Sequence, residues 1–280
     1  MQTQPNYDKL LEPIADVTMT LESLLNDAFG KLMGDQREGL KRIYTSAWGL
    51  HTLLLDIVTN IGIDNIAKRD YLPQKFDDYV NPLIDISQNL LNGLDGPLNE
   101  EQIVAVDYIR ITGALLRHYV DNLWLYSLLD NNLYHLNKQA TSFTTLLDPM
   151  NWSVSDEPVA LELFIQDNLP DVIVDSDLMQ SAISQIVENA INNTSEGSIR
   201  ISIALDDTVQ ITVQDTGTGI QKRYEKDILK PFFQVNPEQL GLGLGLSITD
   251  KILKLHKGQL HISSLVQGTK VVIEFPITFS

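Results

Sequence analysis

The 280-residue sequence contains no cysteine, which excludes disulfides, thiol nucleophiles and cysteine-ligated metals. Positive charge is scarce as well. Twenty Lys and Arg against 37 Asp and Glu leave a net charge of −17. Such a chain lacks the basic surface that nucleic acid or an anionic membrane needs, so neither is an expected partner. Long apolar runs are missing too. The most apolar stretch, Ala47 to Ile63, is broken by His51 and Asp56, and no membrane span is expected. The first residues, Met-Gln-Thr-Gln-Pro-Asn-Tyr-Asp, lack the basic-then-apolar order of a signal peptide. Together these absences predict a soluble, cytoplasmic protein whose input does not arrive through a membrane domain of its own.

What is present begins with helix. Residues 1–148 read as helical almost throughout. Val106, Ile109, Gly113, Leu116, Val120 and Leu123 recur at alternating steps of three and four, a bundle seam that fades at Ser127. Leu40, Ile43, Ala47, Leu50, Leu54 and Ile57 repeat that seam earlier in the chain at a constant separation, Leu40 answering to Val106 and Ile57 to Leu123. Ahead of the seams, Asp8-Lys-Leu-Leu-Glu-Pro13 parallels Asp77-Asp-Tyr-Val-Asn-Pro82, there with a slightly larger separation. This predicts two duplicated helical hairpins with a three-residue length difference, joined by a linker at 62–76.

The second half carries three motifs. Asn189 lies on an apolar helix, Asp215 precedes the spaced Gly217 and Gly219, and Gly241-Leu-Gly243-Leu-Gly245 opens a second helix. An Asp carboxylate can accept from an exocyclic amine, and glycines let backbone approach a ligand. A glycine-rich helix start offers free N–H groups to phosphate, and an Asn amide can reach a Mg²⁺ held by phosphate oxygens. An adenine nucleotide suits this set.

These residues resemble the ATP-binding domain of sensor histidine kinases, within the wider group that includes gyrase- and chaperone-type ATPases. The similarity spans roughly residues 145–280. It extends to Pro231-Phe-Phe-Gln234 before the nucleotide lid, to Leu255-His256-Lys-Gly258, and to the last strand, Gly268 to Pro276. It implies ATP or ADP as ligand with Mg²⁺ bound through Asn189. Asp215, Gly217, Gly219, Ile220, Gly241, Gly243, Leu244, Gly245 and Thr269 would complete the nucleotide site. Gly93-Leu-Asp-Gly-Pro-Leu-Asn-Glu-Glu-Gln102 resembles the turn of the family's dimerisation and phosphoacceptor hairpin. In the family two chains each give one hairpin to a four-helix bundle. Here one chain carries two, which predicts a pseudo-dimeric bundle and a monomer.

The sequence also departs from the family. Counting back five positions from Pro82 and Pro13 reaches Asp77 and Asp8 where the phosphoacceptor histidine belongs. His118 should lie at the bundle surface, and His256 should be structural. Asp78 and Asn81 keep the spacing of a pair that helps some such kinases dephosphorylate a response regulator. Gln185 replaces an Asn and cannot act as the general base of the related ATPases. Asn192 stands where a Lys is usual, and the lid between Gln234 and Gly241 is short. No Lys or Arg occurs from Phe232 to Thr249, although phosphoryl transfer needs cations. Lys222, Arg223 and Lys230 are the nearest candidates.

The expected fold is thus a helical bundle followed by an α/β sandwich, a mixed sheet with helices on one face. The strands should include Ala160–Ile165, Ser198–Ala204, Val209–Val213, Gln259–Ser264 and Lys270–Phe275. The expected domains are 1–68, 69–148 and 149–280. The expected function is a histidine-kinase-like pseudokinase that binds ATP or ADP and regulates a partner such as a response-regulator receiver domain. Two alternatives stand beside it. One is an enzyme, either a kinase with an unusual acceptor or a phosphatase using Asp78 and Asn81. The other is a scaffold that binds no nucleotide.

Overall fold

The computed structural model describes residues 7–147, 159–236, 238 and 241–277. The chain divides between Asn131 and Asn132 into a helical unit and an α/β unit.

Four helices build the first unit, α1 (Asp8–Leu25), α2 (Gly34–Asp56), α3 (Leu72–Leu91) and α4 (Glu100–Asp130). A π-helical turn, Ile57–Ile61, and a 3-10 turn, Ile63–Lys68, follow α2. Helix α1 packs on α2 and α4, and α3 packs on α2 and α4, so the four close into a ring. The seam residues lie in its centre. Leu40, Ile43, Ala47, Leu50, Leu54 and Ile57 are buried, as are Val106, Ile109, Gly113, Leu116, Val120 and Leu123 on α4. Each large aliphatic side chain so buried contributes on the order of 2 kcal/mol.

The duplication is more regular than the sequence suggested. Helix α1 buries Leu10, Ile14, Val17, Leu21 and Leu24, and α3 buries Phe76, Val80, Leu83, Ser87 and Leu90. Taken in order, these two sets are separated by the same interval as Leu40 and Val106. One register therefore runs through both hairpins. No three-residue length difference exists, and the larger separation of the Asp-x₄-Pro match is a slip of almost one turn. Asp77 is equivalent to Leu11, not to Asp8.

The two turns show the same symmetry. Gln102 Oε1 accepts from Asn99 N–H at 3.0 Å, and its Nε2 donates across to Gly30 O at 3.1 Å. Gln36, its counterpart, accepts from Met33 N–H at 2.9 Å and donates to Gly96 O at 3.2 Å and Pro97 O at 3.0 Å. Gly30 and Gly96 hold positive φ, 98° and 94°, which a side chain would strain. Each hairpin thus caps the turn of the other.

Three further expectations do not hold. The linker is shorter than 62–76, because α3 begins at Leu72 with Pro73 in its first turn, where the missing N–H costs nothing. The seam does not fade at Ser127. That residue is buried, and its Oγ accepts from Ala67 N–H at 3.2 Å. Helix does not run to 148. Strand β1 (Lys138–Thr141) pairs antiparallel with β3 (Val172–Asp175), and the short helix α5 (Phe143–Leu147) puts Phe143, Leu146 and Leu147 into the core of the second unit. The boundary therefore falls at 131/132 rather than 148/149, and Asp148 lies outside the described residues.

The second unit holds a five-stranded sheet of β2 (Val159–Ile165), β4 (Gly197–Leu205), β5 (Thr208–Asp215), β6 (Gln259–Ser264) and β7 (Thr269–Pro276). Its order is β2-β4-β5-β7-β6, with β2 and β4 parallel and the other pairs antiparallel. Ile199, Ile201 and Ile203 alternate with Arg200 and Ser202, so one face is apolar. That face meets α5 and α6 (Ser176–Asn193), with Leu253 of α7 (Gly245–Leu255), in one core.

Candidate functional site

Helix α6 organises the site. Asp175 caps it, accepting from Leu178 N–H at 3.2 Å. Met179, Ile183, Ile186, Val187 and Ala190 bury one stripe, which leaves Gln185 and Asn189 half-buried on another. Asn189 and Asn193 are one turn apart, and Asn193 Nδ2 donates to Asn189 Oδ1 at 3.1 Å. The Asn193 carbonyl accepts from Thr218 N–H at 3.2 Å, tying the end of α6 to the glycine loop after β5.

Asp215 ends β5 with 5% of its surface exposed. Its Oδ1 accepts from Gly217 N–H at 2.9 Å and from Thr269 N–H at 3.1 Å. Burial pushes the carboxyl above its ordinary value, while the backbone donors of Gly217 and Thr269 pull the other way. An ionised carboxylate only accepts, so a ligand reaching it must bring a donor such as an amine.

Two glycines beside Asp215 are sterically required. A Cβ at Gly217 would run into the Asn193 carbonyl, and one at Gly268 (φ 85°) into the carbonyl of Asp215 itself. Backbone thus packs closely around the end of β5 at Asp215. Ile220 N–H donates to Ser264 Oγ at 3.3 Å, linking the same loop to β6.

The glycine-rich segment before α7 lies against α6. A Cβ on Gly245 would sit 2.5 Å from Gln185 Oε1, and one on Gly243 (φ 71°) 2.6 Å from Phe233 O. Gln185 therefore occupies the wall beside the first turn of α7, where N–H groups are unpaired within the helix. Gly241 differs. No atom crowds its Cβ position, and its carbonyl accepts from Gln234 Nε2 at 3.2 Å. Leu244 is buried at the N-cap of α7. Pro237, Gln239 and Leu240 of the lid lie outside the described residues.

Two of the three candidate cations, Lys230 and Arg223, are engaged elsewhere. Lys230 pairs with Asp227, and the Arg223 guanidinium stacks 4.5 Å above the Tyr224 ring. His256 is structural, as expected. Its Nδ1 faces Ile252 O at 2.9 Å, and Nε2 accepts from Asp175 N–H at 3.0 Å. Both bonds require the neutral ring, and burial lowers its pKa.

In the bundle, Asp77 is not a bare carboxylate. Arg117 of α4 pairs with it at 3.0 Å and also donates to Asn81 Oδ1. Asp78 accepts from Gln74 Nε2 at 2.9 Å. His118 is exposed, its ring 2.9 Å from Asn122 Nδ2. Sequence reasoning missed Arg117, Asn193 and Gly268. No motif marks Arg117 or Asn193, whereas Gly268 opens the matched last strand and was not read as part of the site.

Asn189 could offer its amide oxygen to a Mg²⁺, since it is half-buried one turn from Gln185. Among the described residues no group of three His, Asp or Glu gathers as a metal cage. A bound Mg²⁺ would rely on ligand phosphates, which the donor set fits.

Comparison with known proteins agrees with this geometry. Residues 174–278 match the family described as Histidine kinase-, DNA gyrase B-, and HSP90-like ATPase. The sensor histidine kinase AtsR of Burkholderia thailandensis is 28% identical over 227 residues, covering 75% of this chain and 37% of that protein. The autoinducer 2 sensor kinase/phosphatase LuxQ of Vibrio cholerae is 32% identical over 216 residues, covering 71% and 24%. The chain therefore spans little more than a third of one relative and a quarter of the other. Full-length ShkA, solved in complex with AMPPNP, superposes with a TM-score of 0.63 at 21% identity, covering 75% of this chain and 45% of that one. The histidine kinase AdeS of Acinetobacter baumannii gives 0.53 at 23%, covering 71% and 98%. These two structures support the fold. Among the described residues no helix is long and apolar enough to cross a membrane. Residues 174–278 thus form a domain of the histidine kinase-, DNA gyrase B- and HSP90-like ATPase type, and the relatives whose similarity extends beyond it are sensor histidine kinases.

Proposed function

We propose that this chain is a cytoplasmic pseudokinase of the histidine kinase family. It binds ATP or ADP with Mg²⁺ in its α/β unit and regulates a partner, such as a response-regulator receiver domain, through its helical bundle. Asp215 reads the adenine amine, Asn189 contributes to Mg²⁺, and the turn from Gly241 to Gly245 faces the phosphates. Mg²⁺ would neutralise phosphate charge. Gly217, Gly219, Ile220, Leu244 and Thr269 shape the pocket. Support for the ligand comes from the matched ATPase family and from the AMPPNP bound by ShkA.

The observation that carries the pseudokinase reading is the ion pair of Asp77 with Arg117. The position five before Pro82 holds a carboxylate already engaged by a guanidinium, and a carboxylate would give an acyl phosphate rather than a phosphohistidine. Poor transfer also follows from Lys230 and Arg223 being committed to Asp227 and Tyr224. A bundle made from both hairpins of one chain favours a monomer. Val104, Tyr108 and Ile111, exposed along α4, favour a docked partner.

A second reading, a receiver phosphatase, rests on the exposure of both Asp78 and Asn81 on α3. Arg117 weighs against it by occupying the Asn81 amide oxygen that would orient water.

Calorimetric titration with Mg-ATP and Mg-ADP tests the nucleotide part. Saturable binding that Asp215→Asn abolishes is expected, and no binding at millimolar nucleotide would leave the scaffold reading instead. Incubation with γ-labelled ATP should then leave no label on the protein, whereas a stable labelled chain would make it a kinase. Release of phosphate from a phosphorylated receiver would favour the phosphatase.

A further inference from the structure

The duplicated bundle allows its two equivalent grooves to be compared, and they differ at one place. Between α2 and α3 lies a cleft of about 510 Å³ lined by Trp48, Thr52, Leu55, Asp56, Lys75 and Tyr79. That volume is within the range of small-molecule sites, roughly 300–1,000 Å³. Gly49 makes it possible, because a Cβ there would collide with the Tyr79 ring. In the equivalent groove between α4 and α1 the common register replaces Trp48 by Ala114, Gly49 by Leu115 and Tyr79 by Pro13, while Lys75 is matched by Lys9. The aromatic walls belong to one groove alone.

Three further features mark the cleft. Trp48 is 49% exposed and Leu55 42%, a high cost in exposed apolar surface for a groove left open. Thr59 and Asn60, also in the lining, come from the π-helical turn that ends α2. Such turns are rare and concentrate at functional sites. The charges also have room for a ligand. Among the described residues Lys75 has no ion-pair or side-chain hydrogen-bond partner, whereas Asp56 Oδ1 accepts from Asn60 Nδ2 at 2.8 Å.

From this geometry we propose that the α2–α3 cleft is a binding site for a planar aromatic zwitterion of the size of an aromatic amino acid. The ring lies against Trp48 and Tyr79. The ligand's carboxylate meets Lys75 and its ammonium meets Asp56. A ring between two aromatic walls gains offset or edge contacts beyond simple burial. The proposal does not depend on the nucleotide reading. A ligand seated where one hairpin joins the other would act on the helix ends of both.

The test uses the full chain labelled with ¹⁵N at its three tryptophan indoles. The Trp48 signal is assigned by its loss in Trp48→Phe. L-tryptophan (unlabelled), indole-3-acetate, tryptamine and indole are titrated in turn. L-tryptophan should shift the Trp48 signal saturably and bind tightest of the four. Lys75→Gln should remove its advantage over tryptamine, and Asp56→Asn its advantage over indole-3-acetate, each roughly fivefold for a half-exposed charge pair. Both residues are at the surface, and an unchanged melting temperature checks that the variants fold. The proposal is overturned by four probes that bind alike, by tight L-tryptophan binding that survives both variants, or by no movement of Trp48 at millimolar probe.

Discussion

The first and second hairpins of the bundle bury matching positions, Leu24 with Leu90 and Leu50 with Leu116, and Gln36 and Gln102 cap each other's turns with matching bonds. Their outer faces do not match. Asp77, Asn81 and Arg117 meet on the second hairpin, where the first offers Leu11 and Ala15 on α1 and His51 on α2. Burial constrains the inner face, because a lost methylene or an orphaned polar group costs stability directly. The outer face carries no such penalty, so chemistry there is free to differ. Equivalence in this fold is therefore a statement about burial, not about exposed residues.

The sharpest attempt to break that equivalence is to truncate matched core residues. Leu50→Ala and Leu116→Ala, both fully buried, should each cost about 3 kcal/mol. Urea unfolding that separates the two by more than about half of that cost would argue against a common core. Next come the paired turns. Gln36→Ala removes the bonds to Met33 N–H and to the Gly96 and Pro97 carbonyls, Gln102→Ala those to Asn99 N–H and the Gly30 carbonyl; each should lose about 1 kcal/mol, since the bonds are part-buried. A large loss from one and none from the other would show that a single hairpin holds the joint.

One core position breaks the match, and a substitution can restore it. Ser87 is fully buried, and its Oγ has no hydrogen-bond partner among the described residues, whereas Leu21 stands at the equivalent place on α1. Removing the unpaired hydroxyl in Ser87→Ala should raise stability by about 1 kcal/mol in thermal unfolding. A lower melting temperature would mean that the hydroxyl is satisfied in solution. On the surface the effect should be smaller still. Arg117→Ala should lower stability by less than about 1 kcal/mol and leave phosphate release from a phosphorylated receiver unchanged. Faster release would instead favour the phosphatase reading, with Arg117 as the restraint on Asn81.

A pH series extends the comparison to the α/β unit, whose His256 must stay neutral to bond both Ile252 and Asp175. Its folded pKa lies below the unfolded 6.5, so the unfolded chain binds the proton more readily. The stability it contributes is complete above 6.5 and is lost as the pH falls through the folded value. Thermal unfolding of the wild type should show this decline, and His256→Asn should flatten it. Identical pH profiles would remove His256 as the cause.

How much of this was legible follows from the same physics. The seams could be read because Leu and Ile at steps of three and four mark a buried stripe whatever the neighbours are. The Asp-x₄-Pro register misled because a three-residue slip nearly completes a helical turn and leaves the apolar face almost unchanged. Strand β1, with Lys138, Gln139 and Ala140 exposed, has no alternation to betray it and exists because β3 pairs with it. Phe143, Leu146 and Leu147 looked like one more helical turn of the bundle, and only the sheet core shows where they belong.

In the site, Asp215 and its glycines stood out by spacing, since a carboxylate ahead of Gly-x-Gly is a local signal. The resemblance placed Thr269 in the same site, but its bond to Asp215 was not visible. Thr269 is far along the chain, and β7 reaches β5 through the antiparallel ladder alone. Arg117 meets Asp77 from a different helix by packing, and nothing in either segment announces it. By itself the sequence determined the helical seams, the strands of the five-stranded sheet and the nucleotide motif, because periodicity and glycine spacing are local properties of the chain. Tertiary structure alone decided the common register of the hairpins, the unit boundary and the pairing of Arg117 with Asp77. Those depend on which surfaces exclude water together, and that is a property of the folded molecule.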